Sequence, residues 1–455
     1  MIHVHLILAM APLEVFARAG GGGSSGGSGG GGGGGDLIAL VGYVPAHYTS
    51  SWFTKHVSIT AGYISGIIVG IAATVGTSFL SAFMASLIAV AAGIGVYSGT
   101  HNWLTRLGDK VKSSKKALEF SASVDPAWQE ERLRERIREV FDRYQDDWTR
   151  FDLESIKTYT TARYFGHIRL MLAAMQQMGR QNIVDSPLLK SADIIDPVDV
   201  RDNEKDRFTV YAQARANDML IERTDHGEEQ LYYDGSSFEE FWRFDREGDQ
   251  WMLDGIDQAT ADGYSGNPSL RSFALANGMY YSLDWGWLLL PQRGQLFSRA
   301  SFKGSDINNH VIGQWQDLIV QLYTYNPDKN TRQADVYLIG QITLPKTYGG
   351  ILIRRRDSEN FGGWLTMAPK GYMKIETEWP DFNQRYHLYA TDMDKVTTFE
   401  LLNPAVMAWL YDQDIKVNIE VVDNVVYLYS KLIGAETRYA SMLSILQRSF
   451  EELKR

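Results

Sequence analysis

From Val57 to Tyr97 the chain contains no Asp, Glu, Lys or Arg, and small and apolar residues dominate. In hydrocarbon no water is present to satisfy backbone polar groups, so a stretch of this kind is read as helical and membrane-spanning. One span needs about 20 apolar residues, or up to about 25 when tilted. The stretch therefore fits two spans turning near Gly76-Thr77-Ser78, or one span that continues into an interfacial segment. Gly62, Gly66, Gly70, Gly76, Gly93 and Gly95 permit close helix approach. Glycine is also simply common in spans, which accounts for them equally well.

The flanks of this region carry further signals. Residues 1–19 combine the apolar run Leu6 to Ala11 with the small-x-small ending Ala17-Arg18-Ala19, the pattern of a cleaved signal. His3 and His5 stand where lysine or arginine is usual, and Pro12 and Glu14 break the run, leaving a misassigned start or an uncleaved anchor as alternatives. Gly20 to Gly35, within a linker taken as 20–36, is glycine and serine alone and reads as a tether. Without a preceding strand and glycines at fixed offsets it is no phosphate loop. Behind the apolar stretch, segment 106–123 opens with Arg106, Lys110, Lys112, Lys115 and Lys116 against one acid, Asp109, over residues 106–116. By the positive-inside rule these charges put the following bulk on the cytoplasmic face of a cell membrane, and they suit anionic lipid headgroups. A cleaved signal followed by two spans argues for the opposite side.

The remaining composition narrows the chemistry. A net charge of −10 disfavours a nucleic-acid partner that works by phosphate neutralisation. No cysteine is present, which removes disulfides, thiolate zinc sites and cysteine nucleophiles. The histidines have neither the i,i+4 nor the HExxH spacing of a helix-borne metal site. Asp193, Asp196, Asp199 and Asp202 lack the glycine and terminal glutamate of a calcium loop and read as a solvated loop. No Gly-x-Ser-x-Gly elbow occurs. No catalytic residue, cofactor or metal is expected.

Residues 124–258 are expected to form an α+β domain. Asp125-Pro126 is a helix-start signal, after which Leu133, Ile137, Val140, Phe141, Tyr144 and Trp148 fall at helical spacing. Arg134 and Arg138 lie among the charges of the other face, either solvated or against lipid. A second helical stretch is expected from Asp152 to Met178, then short strands closed by a hairpin that turns at Glu247-Gly248-Asp249. Trp242 and Trp251 face each other across that hairpin as cross-strand core.

The order Trp148, Asp152-Leu153, Tyr159, then Glu239 to Arg246 with Trp242, Phe244 and Arg246, then Trp251 to Ile256, resembles the carboxyl-terminal domain of the mitochondrial import inner-membrane translocase subunit forty-four and its bacterial relatives. The resemblance implies a membrane-anchored, cone-shaped helix-over-curved-sheet domain like nuclear transport factor two. It also implies membrane tethering and protein assembly rather than a reaction, with membrane lipids and another protein as partners. Some relatives carry a cysteine-rich zinc ribbon, which this chain cannot build.

A linker is expected over 259–282, and over 283–455 a second α+β domain rich in aromatic and β-branched strands. Its one compact basic run, Arg354-Arg355-Arg356, reads as strand-edge protection or lipid contact. Two function classes follow: a membrane-anchored, non-catalytic adaptor that binds protein segments or lipid, and a hydrolase within the second domain. The oligomeric state is not indicated.

Overall fold

The computed structural model describes residues 64–69, 105–224 and 227–258, and most of 267–453. The signal, the tether and all of 57–97 except 64–69 lie outside the described residues; 64–69 are helical. Among the described residues no helix is long and apolar enough to cross a membrane. The described parts are α+β, two antiparallel sheets with helices packed on them.

Helix α1 (105–124) is followed by a 3-10 turn, Pro126–Trp128, started where Asp125 accepts the Ala127 N–H. Helix α2 (Glu130–Arg150) then buries Leu133, Ile137, Val140, Phe141, Tyr144 and Trp148, the face its spacing predicts. It stops at Phe151, a left-handed residue whose N–H returns to the last turn. The single helix expected from Asp152 to Met178 is two, α3 (Leu153–Lys157) and α4 (Ala162–Gln177), each with its own cap, Asp152 and Thr161. Between them Thr160 bridges to Leu253 and Thr161 bonds Asp254, so tertiary pairing with the sheet interrupts the helix.

Gly179, at φ +69, turns α4 into β1; a Cβ there would meet the Arg223 carbonyl at 2.4 Å. Strands β1 (Arg180–Val198), β2 (Arg207–Thr224), β3 (Gly227–Asp234), β4 (Ser237–Glu247) and β5 (Gln250–Gln258) form the first sheet, in order β1-β2-β4-β5 with β3 also on β2. Asp193 and Asp196 belong to β1 rather than to a loop. Pro187 and Pro197 fall at its register shifts, where an edge strand tolerates them. The β4–β5 hairpin turns at Gly248, φ +60, as expected, but Trp242 and Trp251 do not face each other: the register sets Trp242 opposite Ile256 and Trp251 opposite Arg246, and each tryptophan is buried separately. Phe208, Val210, Ala212, Ala214 and Ala216 of β2 point to the helices at period two, and the alanines leave room for large side chains above them.

Within the stretch expected to link the domains, Pro268–Ala276 forms α5 and Tyr280–Ser282 forms β6, while 259–266 lies outside the described residues. The second sheet runs β10-β11-β9-β8-β7-β6, with β12 (Asn418–Lys431) also on β9 (Tyr337–Arg355). Its other strands are β7 (Ile307–Trp315), β8 (Leu318–Tyr325), β10 (Met373–Ile375) and β11 (Tyr386–Ala390). Helices α5, α6 (Pro404–Asp412) and α7 (Thr437–Leu453) cover one face of it. The other face is lined with Tyr323, Tyr325, Tyr337, Tyr427 and Tyr429. Arg354 and Arg355 are paired with β11, while the pairing of β9 with β12 reaches only Ile353 and the Asn418 side chain accepts the Arg355 N–H beyond it. Both are buried, Arg355 bonding Asp414 at 2.6 Å and Arg354 stacking over Tyr389.

Candidate functional site

The basic residues after the apolar stretch lie on α1. Its buried stripe, Leu107, Val111, Ser114, Leu118 and Ser121, falls at helical spacing and leaves Arg106, Lys110, Lys112, Lys115 and Lys116 exposed. Leu107 and Val111 pack on Ile195, Tyr211 and Phe241, the side of the first sheet turned away from α2, whereas Leu118 enters the core beneath α2. The helix thus wraps around the β1 edge. Asp196 fixes it there, accepting from Lys110 at 2.6 Å and donating its backbone N–H to Ser114 Oγ at 3.0 Å. Phe120, 73% exposed, stands one helical turn beyond Lys116 on the outward side. Arg134 reaches the same strand, donating to the Ala192 carbonyl at 2.9 Å and pairing with Glu130. Arg138 is exposed on α2.

The motif residues build the interior between helices and sheet. At one end the hairpin closes it. Trp251 packs edge-on against Trp128 (4.7 Å between ring centroids) and Phe208 (4.9 Å), and donates to the Ala127 carbonyl at 3.1 Å. Phe244 stacks on Phe208 at 5.0 Å. Buried Arg246 ties the hairpin to the start of the domain by pairing with Asp125 and, at 3.1 Å, with Asp206. The Ala127 N–H and then Arg246 hold Asp125 below the usual carboxylate range. In the middle Trp242 meets Phe141 and Tyr144, its N–H donated to buried Glu240. Asp152 caps α3, and Leu153 packs on the same core.

At the other end Trp148 donates to Asn182, which donates to buried Asp218. What closes this end comes from beyond residue 258. The 3-10 turn Trp285–Leu289 is buried in the same apolar cluster as α2, α4 and the first sheet, with Ile312 and Ile319 behind it. Trp285 stacks on His167 at 4.4 Å and lies 5.9 Å from both Trp148 and Tyr164. Trp287 stands edge-on to Tyr232 at 5.1 Å. Arg180, its side chain fully buried, pairs with Glu222 at 2.8 Å and donates to the Leu288 carbonyl at 3.0 Å. Tyr280 stacks on the other neighbour of this joint, His167, at 5.4 Å. Gly166 in α4 admits it: a Cβ there would lie 2.1 Å from the Tyr280 hydroxyl. Burial holds the His167 imidazole well below its ordinary pKa, with His310 and Arg163 adding to the effect. His310 is pushed down to about 4 by burial, against the hydrogen bond it makes to Gln321. Both rings are neutral at neutral pH. The sequence reading did not single out the Trp285 turn, His167 or His310; a five-residue apolar run without periodicity was the available signal.

The inward side chains are apolar and aromatic, and buried Asp206, Asp218 and Glu240 accept from Arg246, Asn182 and Trp242 respectively. Among the described residues no group of histidine, aspartate and glutamate could hold a metal ion. Residues 114–258 match the family model of the Tim44-like domain, and the chain carries that domain over this stretch. The mycobacterial trehalose monomycolate transport factor A, TtfA, is a structural neighbour with 14% identity, covering 41% of this chain and 93% of its own, at a TM-score of 0.30. No curated protein matches the chain.

Proposed function

We propose that this chain is a membrane-anchored, non-catalytic adaptor whose Tim44-like domain binds protein segments at a lipid surface, in membrane-protein assembly or transport. The observation that carries the reading is α1. Its exposed face sets four lysines and Arg106 around Phe120, it follows the charge-free stretch 57–97, and its buried face is seated on the domain. Lysines near an anionic surface contribute about 1 kcal/mol each, and an exposed aromatic among them adds an apolar anchor. Replacing Lys112, Lys115 and Lys116 together by alanine is expected to weaken binding to vesicles containing phosphatidylserine by roughly 100-fold. Melting should change little, because all three side chains are exposed. Unchanged vesicle binding would remove α1 as the lipid contact.

The reading places the domains on the cytoplasmic face, from the basic cluster after the apolar stretch. Leu275 is 76% exposed on α5, in a chain without background thiols. Leu275→Cys in intact cells should therefore resist an impermeant maleimide until the cells are opened. Labelling before opening would put the adaptor on the outer side.

A further inference from the structure

The turn at the open end of the Tim44-like domain has the properties of a bound peptide. Trp285, Gly286, Trp287, Leu288 and Leu289 are consecutive and all buried, and they join a cluster otherwise built mainly by residues 118–256. Two indoles enter at an i,i+2 spacing, one onto His167, Trp148 and Tyr164, the other onto Tyr232. Arg180 of the domain donates to the main chain of the turn, at the Leu288 carbonyl. A donor that reads backbone while aromatic seats read side chains is the usual division of labour in peptide recognition.

The closed state is also incompletely satisfied. Among the described residues, His167 Nε2, His310 Nδ1 and Ser282 Oγ are buried at or beside the joint without a hydrogen-bond partner. Each such atom lowers the stability of the docked turn, so a competing segment that brings its own polar groups has less to overcome. The turn and a partner of the same chemistry are then alternatives for one seat.

We propose that the Trp285 seat of the Tim44-like domain is a peptide-binding site, closed in cis by residues 285–289, whose partner is a protein segment with two aromatic residues at i,i+2 followed by leucine. The proposal rests on the adaptor reading and names its partner class.

It is tested with the full chain in lipid nanodiscs and a fluorescent peptide spanning residues 282–292. The double variant Trp285→Ala/Trp287→Ala should bind the peptide saturably, and the unsubstituted chain at least ~10-fold more weakly because its own turn competes. A peptide with both tryptophans replaced by alanine should not bind, and empty discs set the background. If the double variant fails to fold, Trp287→Ala alone, which keeps the stack on His167, carries the same comparison. Folded variants that do not bind the peptide overturn the proposal. So does equal binding by the unsubstituted chain, or uptake of a fluorescent fatty acid in place of the peptide, which would make the seat a lipid site. None of these outcomes affects vesicle binding through α1, so the adaptor reading stands or falls separately.

Discussion

The two ends of the Tim44-like core are both aromatic, yet they are closed by different means. At the hairpin end Trp251, Trp128 and Phe208 are brought together by the domain's own strands, and the buried charge of Arg246 is met by Asp125 and Asp206. At the joint the aromatic side chains of α2 and α4 are completed by Trp285 and Trp287, beside two buried histidines and the Arg180–Glu222 pair. At the hairpin end the buried charge is met by the domain alone, whereas at the joint Arg180 also reaches the Leu288 carbonyl of a distant segment. The first is a foundation and the second a closure.

The sharpest test of this contrast is truncation at each end. Trp251→Ala should destabilise the whole domain by about 3–5 kcal/mol, because it removes a buried ring and leaves the Ala127 carbonyl without its donor. Calorimetry would check it, and an unchanged transition would show that the hairpin end is not structural. Trp285→Ala should cost ~3 kcal/mol, the lower end of the same range, since the emptied seat can relax through the turn. Its signature should be local: faster amide exchange in 280–290 and in α4, with the hairpin protected. Equal loss of protection at both ends would erase the distinction.

The smallest effect is in pH. A histidine with a depressed folded-state pKa binds fewer protons when folded than when unfolded, so it stabilises above its ordinary value near 6.5 and that contribution is lost as pH falls. For His310 the loss runs from about 6.5 down to about 4. Asp125, held below the usual carboxylate range, contributes above that range and is lost only at lower pH. Acid titration followed by exchange should therefore loosen the joint before the hairpin. In His310→Gln the upper part of that window should flatten; an unaltered profile would move the acid response to His167.

The hairpin end was legible from sequence and the joint was not, for a physical reason. Trp242 and Phe244 alternate at period two ahead of a glycine turn and Trp251 follows it, so the strands they lie on and their cross-strand partners are set by local pairing. Asp125-Pro126 announced a helical start, which is the 3-10 turn ahead of α2 rather than α2 itself, and the family motif led to the stretch that the Tim44-like match covers. The break between α3 and α4 depends on Thr160 and Thr161 meeting Leu253 and Asp254, about ninety residues away. No helical period reports such a contact. Trp285 to Leu289 carries neither alternation nor amphipathic spacing, and its partners are non-local. The same holds for Arg354 and Arg355, which read as an exposed basic run although pairing with β11 and packing on Tyr389 and Tyr386 bury them.

Helix α1 gives the molecule a fixed rotational phase. Twenty residues of helix extend about 30 Å, and the seat of Leu107, Val111 and Leu118 with the Asp196 contacts prevents the shaft from turning on the sheet. Whatever precedes residue 105 is therefore geared to the domain wherever it continues the helix. One residue inserted ahead of Leu107 would swing that preceding part by about 100°, as adding a tooth shifts a gear, while leaving every contact of the domain in place.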